Sequence, residues 1–313
     1  MKFKQSAALL AAAILLSACS SNSSDQTSSA SGSQNPEAVL ESLATSEEKA
    51  KREKDEKQKS AQQAEAEKKK AAFAETVIFD ENGLKVTATG LEDGFMGEEL
   101  KLLVENNTDQ PYTVQARNVS INGSMVNPSM SIDVAPGKKS NDSMTFFSSD
   151  LENQGIDTIN TLEFNLHIFN TDDWSDTMDS NTVTLTFGEG GNEAAAIEGD
   201  PIVDSDGVRI YSTGVDYDDF GGVGLKLHIE NTTADQPVTV QVRDCSVDGF
   251  MIDTIFSADV MPGKSVNDSI LLMSSDLEEN GIETIQSVEL TFFIYHGDDI
   301  MNPVEIGPLT LTY

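Results

Sequence analysis

The feature that most constrains the fold of this 313-residue chain is an internal duplication. The segment DQPYTVQARNVSING (109–123) returns as DQPVTVQVRDCSVDG (235–249), with nine of fifteen residues identical. Residues 135–169 return at 261–295 with 17 of 35 identical. The offset stays between 124 and 126 residues, far longer than the period of a solenoid repeat. Each copy is therefore expected to be a domain with its own hydrophobic core.

The duplication fixes the predicted domain boundaries. We call residues 76–187 module 1 and residues 201–313 module 2, and the linker between them is predicted to be 188–200. Apolar residues alternate with polar ones in both copies, as in Leu100-x-Leu102-x-Val104 and its counterpart from Leu225 to Ile229. A period of two indicates strands with one buried face. Seven or eight such strands in about 110 residues predict an all-β, immunoglobulin-like β-sandwich for each module, without the cysteine pair of true immunoglobulin domains.

Local patterns repeat together with the strands. Within 112–121 the apolar face slips by one residue, and 238–247 slips in the same place, which predicts a β-bulge near Arg117-Asn118 and Arg243-Asp244. The other repeated signals are hairpin turns at Asn122-Gly123 and Asp248-Gly249, type II turns at Pro136-Gly137 and Pro262-Gly263, and capping boxes at Ser149–Glu152 and Ser275–Glu278 whose short helices end at Gly155 and Gly281.

The N-terminus has the pattern of an export signal. Lys2 and Lys4 precede a small and apolar run that ends in Leu16-Ser17-Ala18-Cys19. These four residues resemble the lipobox of bacterial lipoproteins, which implies that 1–18 is removed and that Cys19 carries the lipid. Two acyl chains hold a protein stably on a membrane, whereas one does so only marginally. An ordinary secretory signal with a chance cysteine is the alternative.

A spacer separates Cys19 from module 1. Residues 19–36 are rich in serine and predict a flexible tether. Residues 37–75 contain no Gly or Pro and carry acid-first i,i+4 pairs such as Glu47/Lys51 and Glu65/Lys69. They predict a charged helical stalk about 57 Å long if it is continuous; a disordered polyampholyte is the alternative. Without an apolar seam, a coiled coil is not expected.

Acidic residues are concentrated in the modules. Residues 76–313 hold nine basic and 42 acidic residues, so 9 − 42 accounts for the whole net charge of −33. This charge argues against nucleic acid and against electrostatic attachment to anionic surfaces. It is compatible with a basic partner, a bound cation or simple colloidal solubility.

The repeated motifs resemble a family of lipoproteins. These modules are similar to the tandem modules of uncharacterised lipoproteins of Gram-positive bacteria. The similarity is carried, in chain order and with hyphens for variable positions, by NN-TDQP-TVQ-R, PGKK-NDS, SSDLE and GI-TI. The resemblance covers most of both modules, and it implies display at a cell surface on immunoglobulin-like folds. It brings no catalytic residue.

No arrangement of residues predicts catalysis or a cofactor. His167, His228 and His296 do not occupy matching repeat positions and match no known catalytic motif, so we expect no enzyme, no cofactor and no metal site. The acidic loops at 172–176, 204–206, 216–219 and 298–299 could offer oxygens to Ca²⁺, but solvated turn acids are the favoured interpretation. Cys245, the second of the two cysteines, is expected to be a small buried residue.

Two further predictions concern aromatic residues in loops and arginines beside the predicted bulges. Trp174 and Phe95, with its counterpart Phe220, are aromatic residues in loops that could anchor a partner, although packing back over the core is favoured. Arg117 and Arg243 are expected to form internal salt bridges with Glu163 or Glu289.

The sequence thus predicts a lipid-anchored protein on the extracellular face of a cell membrane. Its two modules are expected to bind an extracellular protein, peptide or glycan, and linked copies would add avidity if both engage at once. The alternative is a structural or envelope-accessory lipoprotein, stabilised by a cation or not, that has no ligand of its own.

We predict that the mature chain begins at an acylated Cys19. Mass spectrometry of the N-terminal peptide, from chain produced in its native host, should find Cys19 as the first residue with added acyl mass. A Cys19→Ser variant should lose both the acyl mass and membrane retention, whereas Ser20→Ala should keep them. An unmodified N-terminus on the wild-type chain would refute the anchor.

Overall fold

The computed structural model describes residues 74–188, 197, 200–217, 222–297, 299 and 301–313. The predicted signal peptide (1–18), the tether (19–36), the stalk up to residue 73 and most of the linker lie outside the described residues. All the strands and helices below belong to one compact unit. Among the described residues, neither helix is long or apolar enough to cross a membrane.

Module 1 consists of strands with one short helix. Its elements are β1 (Thr76–Glu81), β2 (Leu84–Asp93), β3 (Gly97–Asn106), β4 (Tyr112–Ile121), β5 (Ser124–Met125), β6 (Ser131–Val134), β7 (Lys139–Phe147), α1 (Ser148–Asn153), β8 (Thr161–Asn170), β9 (Thr177–Asp179) and β10 (Val183–Thr186). One sheet has the order β1-β2-β3-β7, and the other is built on β10-β8-β4 with β5, β6 and β9 at its margins. All the pairings within this module's named strands are antiparallel.

Module 2 repeats this arrangement. Its elements are β11 (Val203–Ser205), β12 (Val208–Asp216), β13 (Gly222–Asn231), β14 (Val238–Val247), β15 (Phe250–Met251), β16 (Thr254–Ile255), β17 (Ser257–Val260), β18 (Ser265–Met273), α2 (Ser274–Glu279), β19 (Ser287–His296) and β20 (Val304–Thr312). One sheet runs β11-β12-β13-β18, and the other is built on β15-β14-β19-β20. The predicted all-β class is confirmed, and the layered sheets are consistent with β-sandwiches.

Two hydrophobic clusters lie between the sheets. The first draws its buried residues from 79 to 185 and the second from 203 to 311. Strand β3 shows the predicted alternation, because Leu100, Leu102 and Val104 are buried while the residues between them are partly exposed. Phe164 and Phe292 are among the largest side chains that are fully enclosed. The period-two pattern therefore identified the inner faces of both modules.

A buried asparagine closes the corner after β3 in each module, and the sequence patterns did not single it out. Asn106 is 1% exposed, and its amide donates to the carbonyls of Gln110 (2.7 Å) and Val134 (3.1 Å). Its Oδ1 accepts from the backbone and hydroxyl of Thr108. Asn231 makes the same set of bonds in module 2. Such a fully bonded amide avoids the cost of an unsatisfied buried polar group.

The predicted β-bulges are confirmed. The pairing of β4 with β8 shifts between Arg117 and Ser120, and that of β14 with β19 shifts between Arg243 and Ser246. The extra residue follows each arginine and has left-handed backbone angles, with φ of 55° at Asn118 and 53° at Asp244. Asn and Asp tolerate this region better than other residues with a Cβ.

The predicted turns also form. Both residues of Asn122-Gly123 and of Asp248-Gly249 have positive φ, as a type I′ hairpin requires. The turns at Pro136-Gly137 and Pro262-Gly263 are closed by backbone bonds from Lys138 to Ala135 and from Lys264 to Met261. The helices end as expected at Gly155 and Gly281, which have φ of 67° and 69°.

The predicted capping boxes are wrong. Each helix begins two residues earlier than expected, with Phe147 and Met273 at the N-caps in place of Ser149 and Ser275 and no side-chain cap bond. Because a strand runs directly into each helix, the serine of the box lies within the first turn. The acid that follows it instead bonds the segment after the short hairpin strand β5 or β15: Asp150 accepts from the backbone of Asn127 at 2.8 Å, and Asp276 accepts from the backbone of Asp253 at 3.1 Å.

Substitution at the first bulge should separate backbone strain from lost side-chain contacts. We predict that Asn118→Val lowers the free energy of unfolding of module 1 by about 1–2 kcal/mol, because a β-branched residue is strained at positive φ. Asn118→Gly should cost less, although it also removes the side chain. Equilibrium denaturation of the full chain measures both. Equal losses for the two variants would contradict a strained bulge.

Candidate interaction site

The two modules meet through a hairpin of module 1 and an edge strand of module 2. The carbonyl of Gly123 accepts a bond from the backbone N–H of Ser265 at 3.0 Å. Ser124 pairs with Ser265 in a parallel bridge, so β5 lies beside β18. Next to it, Met125 packs against the hydrophobic cluster of module 2. This contact joins strands of both modules into one continuous hydrogen-bonded order.

Three amide side chains complete this edge. Gln154, at the end of α1, accepts from the backbone N–H of Asn267 and donates to its carbonyl, both at 2.8 Å. Asn153 donates to the same carbonyl at 3.0 Å, and its own carbonyl accepts from the Asn267 side chain at 2.9 Å. The edge of β18 is thus bonded on its outer side by side chains that imitate a neighbouring strand. A satisfied edge does not recruit another chain.

A histidine and an ion pair flank the amides. Nδ1 of His228 lies 2.6 Å from Oδ1 of Asn267. Because the Asn267 amide nitrogen donates to Asn153, its Oδ1 accepts the bond, and Nδ1 of His228 therefore carries the hydrogen. The ammonium of Lys264 pairs with the carboxylate of Glu163 across the modules, and the two side chains are only 13% and 20% exposed. Partial burial makes such a pair more sensitive to the loss of one partner than a surface pair.

A cleft with residues from both modules opens beside this contact. Its volume is about 590 Å³. Ser149, Asp150 and Asn153 line it from module 1; Asp216, Lys226, Ile255, Phe256, Ser257, Asp268, Ser269 and Leu271 line it from module 2. Lys226 pairs with Asp216 at 2.8 Å. Three carboxylates against one ammonium leave the wall of the cleft acidic, while Ile255, 62% exposed, offers an apolar surface.

A second cleft, of about 300 Å³, also has residues from both modules. It includes Arg117, which is exposed. Glu163, one of the two carboxylates expected to pair with an arginine, forms an ion pair with Lys264 of the other module. Arg243 instead donates to the hydroxyl of Tyr295 at 2.9 Å and lies 4.6 Å from the centre of the Phe293 ring. Facing aromatic residues on β19 thus take the place of the expected carboxylate.

The loop aromatics do not pack back over the core, contrary to the favoured expectation. Phe95 is fully exposed and Trp174 is 77% exposed. The indole of Trp174 donates to the carbonyl of Thr171 and meets Phe169 edge-on at 6.2 Å, so local contacts orient it outward. Phe220 lies outside the described residues. Exposed aromatic residues at loop tips are available to a partner.

The acidic loops are held by local bonds. Asp173 accepts from the backbone and hydroxyl of Ser175, and these bonds lower the pKa of its carboxyl. Asp204 pairs with Arg209, and the carboxylate of Asp299 accepts from Asn302. Within the described part of the chain, no three His, Cys, Asp or Glu side chains are grouped to hold a metal ion. Asp298, Asp218 and Asp219 lie outside that part.

Among the described residues, Cys245 and the three histidines are not grouped into one site. Cys245 is 2% exposed, which confirms a buried residue, and burial raises the pKa of its thiol to about 11. His167 contacts Asp179 at 2.7 Å, His228 lies at the module contact and His296 ends β19. Cys19, the predicted lipid attachment site, lies outside the described residues.

Sequence reasoning missed most of the residues at the module contact. Asn153, Gln154 and Asn267 were not singled out, and Glu163 was named for a different partner. Asn153-Gln154 of module 1 corresponds to Glu279-Asn280 of module 2. Because 18 of the 35 positions in this part of the repeat differ (35 − 17), this difference alone does not single out the contact.

Comparisons with known proteins add little to this description. The chain matches no family model and no curated protein. Solved structures that it is similar to are the YadV chaperone (11% identity over 74% of this chain and 100% of the other, TM-score 0.24) and a protein of unknown function from Porphyromonas gingivalis W83 (14%, 72% and 97%, TM-score 0.21). A third is the SafA pilin of Salmonella enterica in complex with the SafB chaperone (12%, 69% and 89%, TM-score 0.21). TM-scores this low support no inference about activity.

We predict that Cys245 reacts slowly with thiol reagents in the folded chain. In a Cys19→Ser background, the rate with a disulfide reagent at pH 8 should be far below that of the denatured chain, because only the thiolate reacts and burial keeps the thiol protonated. The rate should rise as the pH approaches 11. A folded chain that reacts as fast as the denatured one would show that the thiol is accessible.

Proposed function

We propose that this protein is a lipid-anchored surface protein in which two immunoglobulin-like modules bind an extracellular protein or peptide. The N-terminal pattern ending at Cys19 supports the anchor, and the predicted tether (19–36) and stalk (37–75) would carry the modules away from the membrane. The domain division at 76–187, 188–200 and 201–313 follows the duplication. The observation that carries binding is the cleft formed jointly by both modules.

The chemistry of the cleft favours a peptide segment with a basic side chain beside an apolar one. Asp150, Asp216 and Asp268 face it with Lys226 as their counter-charge, so a cationic group would find complementary potential. Ile255 and Leu271 provide apolar surface for a neighbouring side chain. The acidic surface as a whole would steer a basic partner toward the modules.

The module contact favours a second candidate function. The amides of Asn153, Gln154 and Asn267 bond the two modules in one relative placement, which two freely moving domains would not need. A fixed placement suits a structural or envelope-accessory lipoprotein that serves as a spacer or as a partner of another membrane complex. In that case the cleft would have no ligand of its own.

An array of extracellular proteins, basic peptides and glycans, probed with the full chain, tests the first function. We expect Asp268→Asn to weaken binding of a captured basic peptide by about tenfold, since one of the cleft's charges is removed. Asp142→Asn is the matched control: Asp142 occupies the corresponding position of module 1, bonds its own neighbour Ser143 in the same way, and does not line the cleft.

The outcomes separate the two functions. Binding that Asp268→Asn weakens and Asp142→Asn leaves unchanged supports the cleft. Binding that neither variant changes would place the ligand elsewhere, for which the exposed Trp174 and Phe95 are the next positions to substitute. Failure to bind any arrayed molecule would favour the spacer function.

A further inference from the structure

The surfaces that join the two modules both occur twice in the chain. The donor surface of module 1 consists of Gly123–Met125 in the β4–β5 hairpin, Asn153-Gln154 at the end of α1, and Glu163 on β8. The acceptor surface of module 2 consists of Lys264, Ser265 and Asn267 at the start of β18. Because the modules are repeats, module 2 also has a donor surface and module 1 also has an acceptor surface. The contact between the two modules of one chain does not use either of these two surfaces.

The donor surface of module 2 is exposed and more apolar than the one in use. Phe250 and Met251 correspond to Ser124 and Met125. They are 48% and 67% exposed, whereas Ser124 is 6% exposed. The hairpin has the same turn, because Asp248 and Gly249 repeat the positive φ of Asn122 and Gly123. Two large apolar side chains at a hairpin tip are uncommon on a solvated surface and typical of a contact.

The acceptor surface of module 1 lies at the start of an edge strand. Strand β7 ends its sheet among the described strands, and Ser129 bonds its outer edge only farther along, at Thr145. The acceptor residues Lys264, Ser265 and Asn267 have Lys138, Lys139 and Asn141 as their counterparts in module 1. These three counterparts are exposed. Asn141 faces Leu103 of β3 as Asn267 faces His228 of β13. By that register, the backbone groups of Asn141 point outward, as those of Asn267 do. An unbonded edge is a template for another chain.

The charges match across the two unused surfaces. Glu289 of module 2 corresponds to Glu163, and Lys138 of module 1 corresponds to Lys264. Both Glu289 and Lys138 are exposed, whereas the pair they correspond to is largely covered. Bringing the donor of one chain to the acceptor of another would therefore rebuild the same cross-module ion pair.

We propose that the partner of these surfaces is a second copy of this chain, joined head to tail. The β14–β15 hairpin of one copy docks beside β7 of the next, Glu289 pairs with Lys138, and Asn280 takes the place of Gln154 beside Asn141. The contact is heterologous, so it propagates into a row unless the rotation between copies closes a ring. This inference does not depend on acylation of Cys19 or on a ligand in the cleft.

Substitutions between the copies make the contact between chains weaker than the internal one. Glu279 replaces Asn153 and cannot donate to the Asn141 carbonyl. In the contact between chains, Phe250 and Lys139 would face each other where Ser124 faces Ser265 in the internal contact. Because these side chains are larger, the phenyl ring would contact the aliphatic part of the lysine and the strands would not form the close backbone bridge. Linked modules also meet at an effective concentration of about millimolar, which separate chains reach only when they are crowded.

Charge reversal tests the contact directly. Sedimentation of the full chain in mild detergent, at about 0.15 M salt to screen its net charge, should show association that increases with concentration. Lys138→Glu and Glu289→Lys should each raise the apparent Kd by about tenfold, because like charges then face each other. An equimolar mixture of the two variants should restore association, since every contact between copies of different variants again pairs opposite charges.

The control is Glu283→Lys, which makes the same change of charge at an exposed residue with no counterpart in the module contact. It should leave association unchanged. Absence of association at every concentration, association that the reversals do not alter, or a mixture that behaves like its components would each overturn the proposal. Lys138 and Glu289 are exposed, so their substitution should not unfold the chain. Circular dichroism of each variant checks that it is folded.

Cross-linking provides a second measurement. In a Cys19→Ser, Cys245→Val background, Phe250→Cys together with Lys139→Cys should give a ladder of oxidised oligomers, because two small side chains allow the close bridge that Ser124 and Ser265 form and bridged neighbours lie within disulfide range. Each single cysteine variant should give at most a dimer. A double variant without a ladder would overturn the head-to-tail register.

Discussion

The bonding of the outer edge of β18 is the constraint on which the described structure depends. A strand at the end of a sheet leaves N–H and C=O groups that must be bonded or solvated. In module 2 these groups at Asn267 are taken by Gln154 and Asn153, and Ser265 is bonded to Gly123. This closure joins two modules with separate hydrophobic clusters into one unit, and the acidic cleft lies beside it.

The same constraint is met differently within each module. The corner after β3 is closed by a buried asparagine, Asn106 or Asn231, whose amide bonds two loops at once. The bulge on β4 and β14 places Asn118 and Asp244 at positive φ and ends the strict alternation there. Polar side chains thus define where strands turn, and the apolar ones define only which face is buried. This division explains why two copies with different cores keep one topology.

Several expectations failed where contacts between distant segments outweighed local sequence. Ser149 was predicted as a cap, but β7 continues directly into α1 and Asp150 bonds Asn127 instead. Glu163 was assigned to an arginine within its own repeat, but Lys264 of the other module reaches it. Phe95 and Trp174 were expected to cover the core, yet the cores are already closed by strand side chains and both aromatic residues stay outside. In the first two cases the competing partner lies 23 and 101 positions away in sequence.

The sequence by itself determined the all-β class, the inward faces of the strands, the bulges and the glycine-containing turns, because these depend on residues one to four positions apart. It also placed Cys245 inside module 2. Only the tertiary structure decided that Asn153 and Gln154 bond Asn267, that Lys264 pairs with Glu163, and that Phe250 and Met251 remain exposed. These contacts join residues about a hundred positions apart, and no local pattern records which of two similar surfaces is covered.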